Sequence, residues 1–304
     1  MHISKGKKMP DLQVLKKKHD TAEDLLSVVK TMKALASVNI REYERIQESL
    51  KEYNRAVLLA FRGLLRNLPP GKDQRQGPGP TGILVFGSDQ GLCGQFNDRI
   101  AEHTLNTIKS HEISSQDVLI LCVGQRIHTR LLSEGLPIQD LIPVPLSPDG
   151  MPPTVQEIIT TIDQWNSRYR IGQVLLEYNH HISGASYEPR MLRLLPLDRQ
   201  WLESLTGKPW PTRNLPVFRM EAETLFSALV RHHLNISIFN AFTESLASEN
   251  AARLSSMQGA EKNIKERLGE LKNQYNQERQ VSITEELLDI ISGFNALEEG
   301  ERSL

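Results

Sequence analysis

Cysteine is almost missing from this chain: its 304 residues hold only Cys93 and Cys122. Two thiols are too few for a disulfide framework and leave no second pair for a zinc site, so a reducing compartment is the simpler setting. Net charge is missing as well. Lys+Arg 36 against Asp+Glu 37 leave a formal charge of -1, whereas a protein that wraps nucleic acid needs a cationic excess to neutralise phosphates. No nucleic-acid partner is expected, and the default partner class is protein. No stretch reaches the roughly 18 unbroken apolar residues of a membrane span. Lys5, Lys7 and Lys8 run into Met9, Pro10 and Asp11 rather than an apolar segment, so a signal peptide is not expected either. Aromatic residues make up only 6% beside 39% hydrophobic content, which suits a folded chain with a modest core.

Proline is absent from Asp11 to Leu68 and from Val217 to the end, and crowds the middle. A proline inside a helix removes a hydrogen bond and clashes with the preceding turn, so both ends permit long helices and the middle does not. The first end also carries a seam. Leu25, Val29, Met32, Ala36, Asn39, Tyr43, Ile46, Leu50, Tyr53, Val57, Ala60 and Leu64 alternate spacings of four and three, with Arg41, Glu44, Arg45, Glu48 and Lys51 on the flanks. At about 1.5 Å per residue, a helix from Leu12 to Leu68 extends on the order of 85 Å, more than a domain of this size is wide. In the second end the seam runs through Leu254, Met257, Ile264, Leu268, Leu271 and Tyr275, interrupted at Glu261, and continues upstream through the small or polar Asn240, Thr243, Ala247 and Asn250. Small residues admit a close partner helix, and Ala36 and Asn39 match them on the first end. The spacing predicts an antiparallel coil of the two ends; pairing with another chain is the rival.

Gly, Pro, Gln and Asp dominate the stretch from Pro69 to Pro80, which reads as a connector. Beyond it, Gly82 to Phe86 and Asp117 to Val123 are continuous apolar runs, as in parallel strands buried on both faces. Helical patterns at Asp98 to Ser110 and Thr154 to Tyr169, then a strand pattern at Gln173 to Tyr178, complete a βαβ rhythm. The predicted class is α/β: a long antiparallel coiled coil of N- and C-terminal helices plus a Rossmann-like domain with a mostly parallel sheet. The boundaries are a helix at 1–68, a linker at 69–80, the α/β domain at 81–216 and a second helix at 217–304.

Catalytic signals are weak. The turn with Gly87, Asp89, Gly91, Leu92, Cys93 and Gly94 lacks the G-x-G-x-x-G spacing, and no Lys-Ser or Lys-Thr pair follows as in a P-loop. A tight strand-to-helix turn is the plainer reading. No base stands beside Cys93, which reads as a small buried thiol. The pairs His180-His181 and His232-His233 cannot each aim two ligands at one point, since neighbours on a strand or helix diverge; solvated or capping histidines are expected and no metal site.

Four segments carry a family resemblance. The run Gly87-Ser88-Asp89-Gln90-Gly91-Leu92-Cys93-Gly94-Gln95-Phe96-Asn97 resembles the strand-turn-helix motif of the gamma subunit of F-type rotary ATP synthases. Tyr275-Asn276-Gln277-Glu278-Arg279-Gln280-Val281-Ser282-Ile283-Thr284-Glu285-Glu286-Leu287 is similar to that family's most specific signature. Glu244 to Arg253 matches that family's helix leading into the shaft, and Lys30 to Ala34 matches its N-terminal counterpart. The chain departs from the usual pattern at Gln90, Gln95 and a less basic His19 to Asp24. The resemblance implies a central shaft without an active site of its own, standing inside a ring of alpha and beta subunits that bind ATP/ADP and Mg. An epsilon subunit and a membrane c-ring are the implied partners at its foot, on the cytoplasmic face of the inner membrane. It implies contact with a beta-subunit loop through Arg279, Gln280 and Thr284, and with the moving beta-subunit lever through Lys30, Met32 and Lys33. Met32 has a competing reading as a seam residue. A Rossmann-like enzyme with a coiled-coil oligomerisation arm, or a generic coiled-coil tether, are the alternatives that composition and spacing leave open.

Overall fold

The computed structural model describes residues 12–66, 79–114, 116–207, 210–211 and 217–301, with side chains as far as 292. Apart from Gly79 and Pro80, the expected connector lies outside the described residues. The chain divides into two compact units, Leu35–Ser256 and Met1–Ala34 with Met257–Leu304. Two helices run through both: α1 (Leu12–Leu65) and α6 (Ala222–Glu301), neither with an internal proline. The second helix begins at Ala222 rather than at Val217, and residues 217–220 are not helical.

The Leu35–Ser256 unit holds a five-stranded sheet of β1 (Thr81–Phe86), β2 (Val118–Val123), β3 (Ile138–Ile142), β4 (Gln173–Ser183) and β5 (Ser186–Leu195), in the order β3-β2-β1-β4-β5. Pairings are parallel from β3 to β4, with Thr81 opposite both Val118 and Gln173, and β5 runs antiparallel to β4. Every residue of β1 and β2 is buried because both faces are covered, which is why these strands read as unbroken apolar runs. Alternate side chains sort by face. Ile83, Val85, Ile120 and Cys122 pack on Ile100, Ile127 and Leu131 of α2 (Phe96–Ser110) and α3 (Gln125–Ser133). On the other face, Leu84, Phe86, Leu121 and Val123 pack with Val155, Ile158 and Ile162 of α4 (Met151–Tyr169), with Phe242 and Leu246 of α6, and with Tyr43 of α1. The mostly parallel, doubly wound expectation holds.

The sequence pattern did not reveal β3, β5, α3 or the short α5 (Arg199–Thr206). β5 contains Pro189 and leaves Glu188 and the run Arg190 to Arg193 exposed, a pattern tolerated only at a sheet edge, where β5 lies. The nine residues of α3 bury only Ile127 and Leu131, one turn apart, too little periodicity to register.

Phe86 and Phe242 stack with ring centroids 4.8 Å apart and fix α6 on the sheet. Truncating Phe242, which is 1% exposed, to alanine is expected to lower the unfolding free energy by about 3–5 kcal/mol. Urea denaturation of the chain measures it; a loss below about 1 kcal/mol would show that the sheet does not depend on α6.

Candidate functional site

The seam between the end helices is the first candidate site, and each unit holds part of it. In the unit of Met1–Ala34 with Met257–Leu304, Leu15 of α1 and Met257 and Leu271 of α6 are buried. Lys33 Nζ donates to Glu261 Oε2 at 2.5 Å, and Lys265 Nζ lies 2.7 Å from Glu261 Oε1. Bonds from Lys265 and then Lys33 hold the Glu261 carboxyl down at about 2, so it stays charged. The residue read as an interruption of the seam is therefore one of its cross-links. A shallow groove lined by Val14, Lys17, Lys18, Ala22, Leu25 and Arg267 follows the same pair of helices.

In the Leu35–Ser256 unit the pairing continues through polar rungs. Asn39 Nδ2 donates to Asn250 Oδ1 at 3.2 Å, and Gln47 Nε2 to Glu244 Oε1 at 2.9 Å. Tyr53 Oη and His232 Nδ1 are 2.8 Å apart. As numbers on α1 rise, those on α6 fall: the two ends of one chain pair antiparallel, and the rival pairing is not needed. From Ala241 to Ala252 only Glu244 escapes full burial. Ala241, Ala247, Ala251 and Ala252 are small enough for this stretch to be enclosed on every side. At its end Glu249 Oε1 takes a 2.6 Å bond from Arg253 Nη2; burial raises the Glu249 carboxyl, and Arg253 opposes the rise.

On α6, Met257 and Leu271 of the expected seam are buried, and Leu254, Ile264, Leu268 and Tyr275 are half-buried. On α1 nine of the twelve expected positions are covered, with Val57 and Leu64 buried, and Tyr53 and Ala60 are exposed. Ala36 and Tyr43 are buried, and Val29, Met32, Asn39, Ile46 and Leu50 are half-buried, but Leu25 is 52% exposed. The covered stripe continues through Lys33, Ile40, Gln47, Asn54 and Phe61, one residue beyond Met32, Asn39, Ile46, Tyr53 and Ala60. Two causes produced the offset. Lys33 and Gln47 look like flank residues but are half-buried beside their partners on α6, and α1 carries a second apolar row, Leu25, Val28, Leu35 and Val38, that is left exposed. Near the end of α6, Ile283, Leu287, Leu288, Ile290 and Ile291 are exposed too. Arg279, Gln280 and Thr284 are exposed beside them, with Thr284 Oγ1 donating to Gln280 O at 2.8 Å. Lys30 is exposed, and Lys33 is engaged with Glu261.

The second candidate is the turn after β1. A Cβ on Gly87 would lie 2.3 Å from Ile127 Cβ, so only glycine lets α3 approach here. Asn97 locks the turn by donating to Ser88 Oγ at 2.8 Å and accepting from Ser88 N at 3.1 Å. Asp89 spans two elements, accepting from Gln125 N at 2.7 Å and Val144 N at 2.8 Å. Leu92 and Gly94 take positive φ of 64° and 57°, turning Cys93 inward onto Phe96 and Ala252 of α6. Burial pushes the Cys93 thiol up, and Cys122 up to about 12, which keeps both as thiols rather than nucleophilic thiolates. Arg253 Nη2 reaches Gly91 O at 3.5 Å, and Gly94 faces Ser256. In doubly wound sheets, ligands bind outside the strand ends where strand order reverses, here between β1 and β4. In this chain α6 packs on the β1 turn.

His232 is exposed and His181 Nε2 bonds Gly184 O at 3.1 Å in the β4–β5 turn, in line with solvated or capping roles, whereas His180 and His233 differ from them. His180 Nδ1 bonds Glu244 Oε2 at 2.5 Å, and His233 stacks on Trp201 at 4.6 Å, its pKa lowered by burial. His103 Nδ1 meets the fully buried Glu177 Oε2 at 2.6 Å. Nothing in the spacing of these residues along the chain signals the partnerships. The bond to Glu177 raises the His103 pKa above 6.5 against the lowering effect of burial. Its stabilisation is therefore complete below the unfolded pKa near 6.5 and disappears as pH rises through the folded value. In urea unfolding, the advantage of the wild type over His103→Gln is expected to shrink as pH is raised from 6.5; an advantage constant with pH would show that the imidazole is uncharged in the pair.

The family model described as ATP synthase matches residues 11–297. The ATP synthase gamma chain of Polynucleobacter asymbioticus is 25% identical over 301 residues, covering 95% of this chain and 100% of that one. The ATP synthase gamma chains of Staphylococcus haemolyticus and Lachnoclostridium phytofermentans are each 26% identical with the same coverage. Among solved structures, the fold is like that of a chain in the rotor of the Euglena gracilis mitochondrial ATP synthase, with TM-score 0.61, 16% identity and coverage of 90% and 98%. It is also like a chain in the central stalk and c-ring of the Tetrahymena thermophila enzyme, with TM-score 0.56, 24% identity and coverage of 77% and 99%.

Proposed function

The chain belongs to the ATP synthase family, and from that membership we propose that it is the gamma subunit and central rotor shaft of an F-type ATP synthase. The observation that carries this reading is a helix pair that closes its own seam and still leaves apolar rows outside: Leu25, Val28, Leu35 and Val38 on α1, and Ile283, Leu287 and Leu288 on α6. Rows of this size call for cover by other subunits. A surrounding ring of alpha and beta subunits supplies it, and those subunits bind ATP/ADP and Mg and carry the active sites. This chain has none of its own and binds no cofactor; the packing of α6 on the β1 turn supports that, and weighs against the nucleotide-enzyme alternative.

The coupling is allosteric. Chemically identical beta subunits touch different faces of one asymmetric shaft, and each is biased toward a different nucleotide affinity by the difference in contact free energy. Rotation permutes the biases. Arg279, Gln280 and Thr284 grip a beta-subunit loop, and their exposure suits that role; Lys30 and Met32 meet the moving lever, with Lys33 tied to α6 behind them. The α/β domain faces the epsilon subunit and the c-ring. Among the described residues no helix is long and apolar enough to cross a membrane, and the chain is a peripheral part of the complex on the cytoplasmic face of the inner membrane.

Affinity purification of the tagged chain from its host is expected to recover alpha and beta subunits with ATP turnover; recovery without them would sink the reading. In that complex, the double variant Arg279→Ala, Gln280→Ala is expected to slow turnover roughly tenfold through lost charge-assisted bonds, with assembly unchanged. Unaltered turnover would make these residues a solvated helix face, as a generic tether would have.

A further inference from the structure

Within the Leu35–Ser256 unit, the contact between sheet and helices is apolar over most of its area, with Phe86, Val174 and Leu176 among the residues clustered with Phe242, Leu246 and Ala247. Apolar packing resists separation but is non-directional. It holds two surfaces together more firmly than it fixes how far one has slid or turned on the other. Directional polar bonds supply that second constraint, because a shifted helix leaves their buried partners unpaired.

One carboxylate gathers these bonds from two elements. Glu244 of α6 accepts from Gln47 Nε2 of α1 at 2.9 Å through Oε1, and its Oε2 lies 2.5 Å from His180 Nδ1 of β4. The Glu244 and His180 side chains keep only 13% and 21% of their exposure. Tyr178, on the same strand, faces the site as well: burial, and then the charge of Glu244, push its hydroxyl up to about 12, while Arg190 of β5 opposes the rise. One turn further along α6, Ser248 Oγ shares its single proton between Asn179 O of β4 at 2.9 Å and Glu244 O of its own helix at 2.8 Å. Two neighbouring residues of β4 thus hold α6 at two points, which fixes both its height and its rotation on the sheet.

We infer that Glu244 is a register pin: by joining α1, α6 and β4 through one carboxylate, it makes the helix pair and the α/β domain turn together, so that torque passes between them without slip. The inference rests on the rotor reading above. Glu244 is a positioning residue; it acts through Gln47 and His180 and touches no reacting group. Leucine offers no acceptor to Gln47 or His180, and removing one member of a buried polar cluster is destabilising, so ATP hydrolysis and ion uptake are both read per assembled complex. Glutamine keeps an acceptor for His180, and its amide still bonds Gln47 once the Gln47 amide turns over.

The experiment uses the whole complex in sealed vesicles, with ATP hydrolysis and ion uptake measured on the same preparation. For Glu244→Leu, hydrolysis per assembled complex is expected to stay within about twofold of wild type while ions moved per ATP fall to roughly half or less. Glu244→Gln is expected to keep the wild-type ratio, and Gln47→Leu to shift it in the same direction as Glu244→Leu. A purely structural role would lower the yield of assembled complex and leave the ratio at its wild-type value. If Glu244→Leu does not assemble, Gln47→Leu decides: a wild-type ratio there overturns the pin. The pin is also overturned if Glu244→Leu stays fully coupled, or if Glu244→Gln loses as much coupling as leucine. A wild-type chain that recovers no alpha and beta subunits overturns the rotor reading and the pin with it.

Discussion

Close approach is the constraint on which the Leu35–Ser256 unit depends. The middle of α6 is enclosed by the sheet on one side and α1 on the other, and only side chains as small as Ala241, Ala247, Ala251 and Ala252 let a helix be buried all round. A larger residue at any of them would push helix or strand outward and strain well-filled surroundings. With α6 seated, Phe242 reaches Phe86, Ala252 meets Cys93 and Phe96, and the β1 turn closes against the helix. The sheet face, the turn and the helix pair are consequences of one tight passage.

Within that passage, polar groups choose among arrangements that apolar contact would allow. Asn39 with Asn250 and Gln47 with Glu244 set the two helices in register, much as single polar residues specify alignment in coiled coils. In the other unit Lys33 with Glu261 does the same. Their value lies in the cost of misalignment, since each shifted partner would be left desolvated and unpaired. The same logic explains the β1 turn. Asp89 binds two backbone amides and Asn97 closes on Ser88, so a loop that looks like a ligand cradle in outline spends its polar groups on itself.

Proline distribution and apolar runs were enough to read the long ends, β1, β2, β4 and the parallel character of the sheet, because each reflects a local rule. The edge strand β5 and the short α3 were hidden, since edges tolerate Pro189 and exposed charge and one helical turn of burial has no measurable period. The seam on α1 was legible at most of its positions, with Leu25, Tyr53 and Ala60 exposed. A row of apolar residues says that a face is covered, not by what; Leu25 and Val28 share their chemistry with Ala36 and Ile40 but not their burial. Conversely, Lys33, Gln47 and His180 carry no mark of their buried partners, because those lie far away in the chain. The family motif was legible as letters, and Arg279 and Gln280 lie exposed as a contact role requires.

The sequence distances across the seam have a consequence for synthesis. Lys33 and Glu261 are 228 residues apart, Asn39 and Asn250 211, and Gln47 and Glu244 197. α1 is made first but cannot find its partner until α6 has left the ribosome. At about 5–20 residues per second, that is a wait on the order of 10–40 s, during which the future seam and the outer row of α1 are both uncovered. Strands β1 to β5 are all made in that interval, but the sheet face that Phe242 and Leu246 cover stays open until α6 arrives. The first helix made is the one that waits longest for its cover.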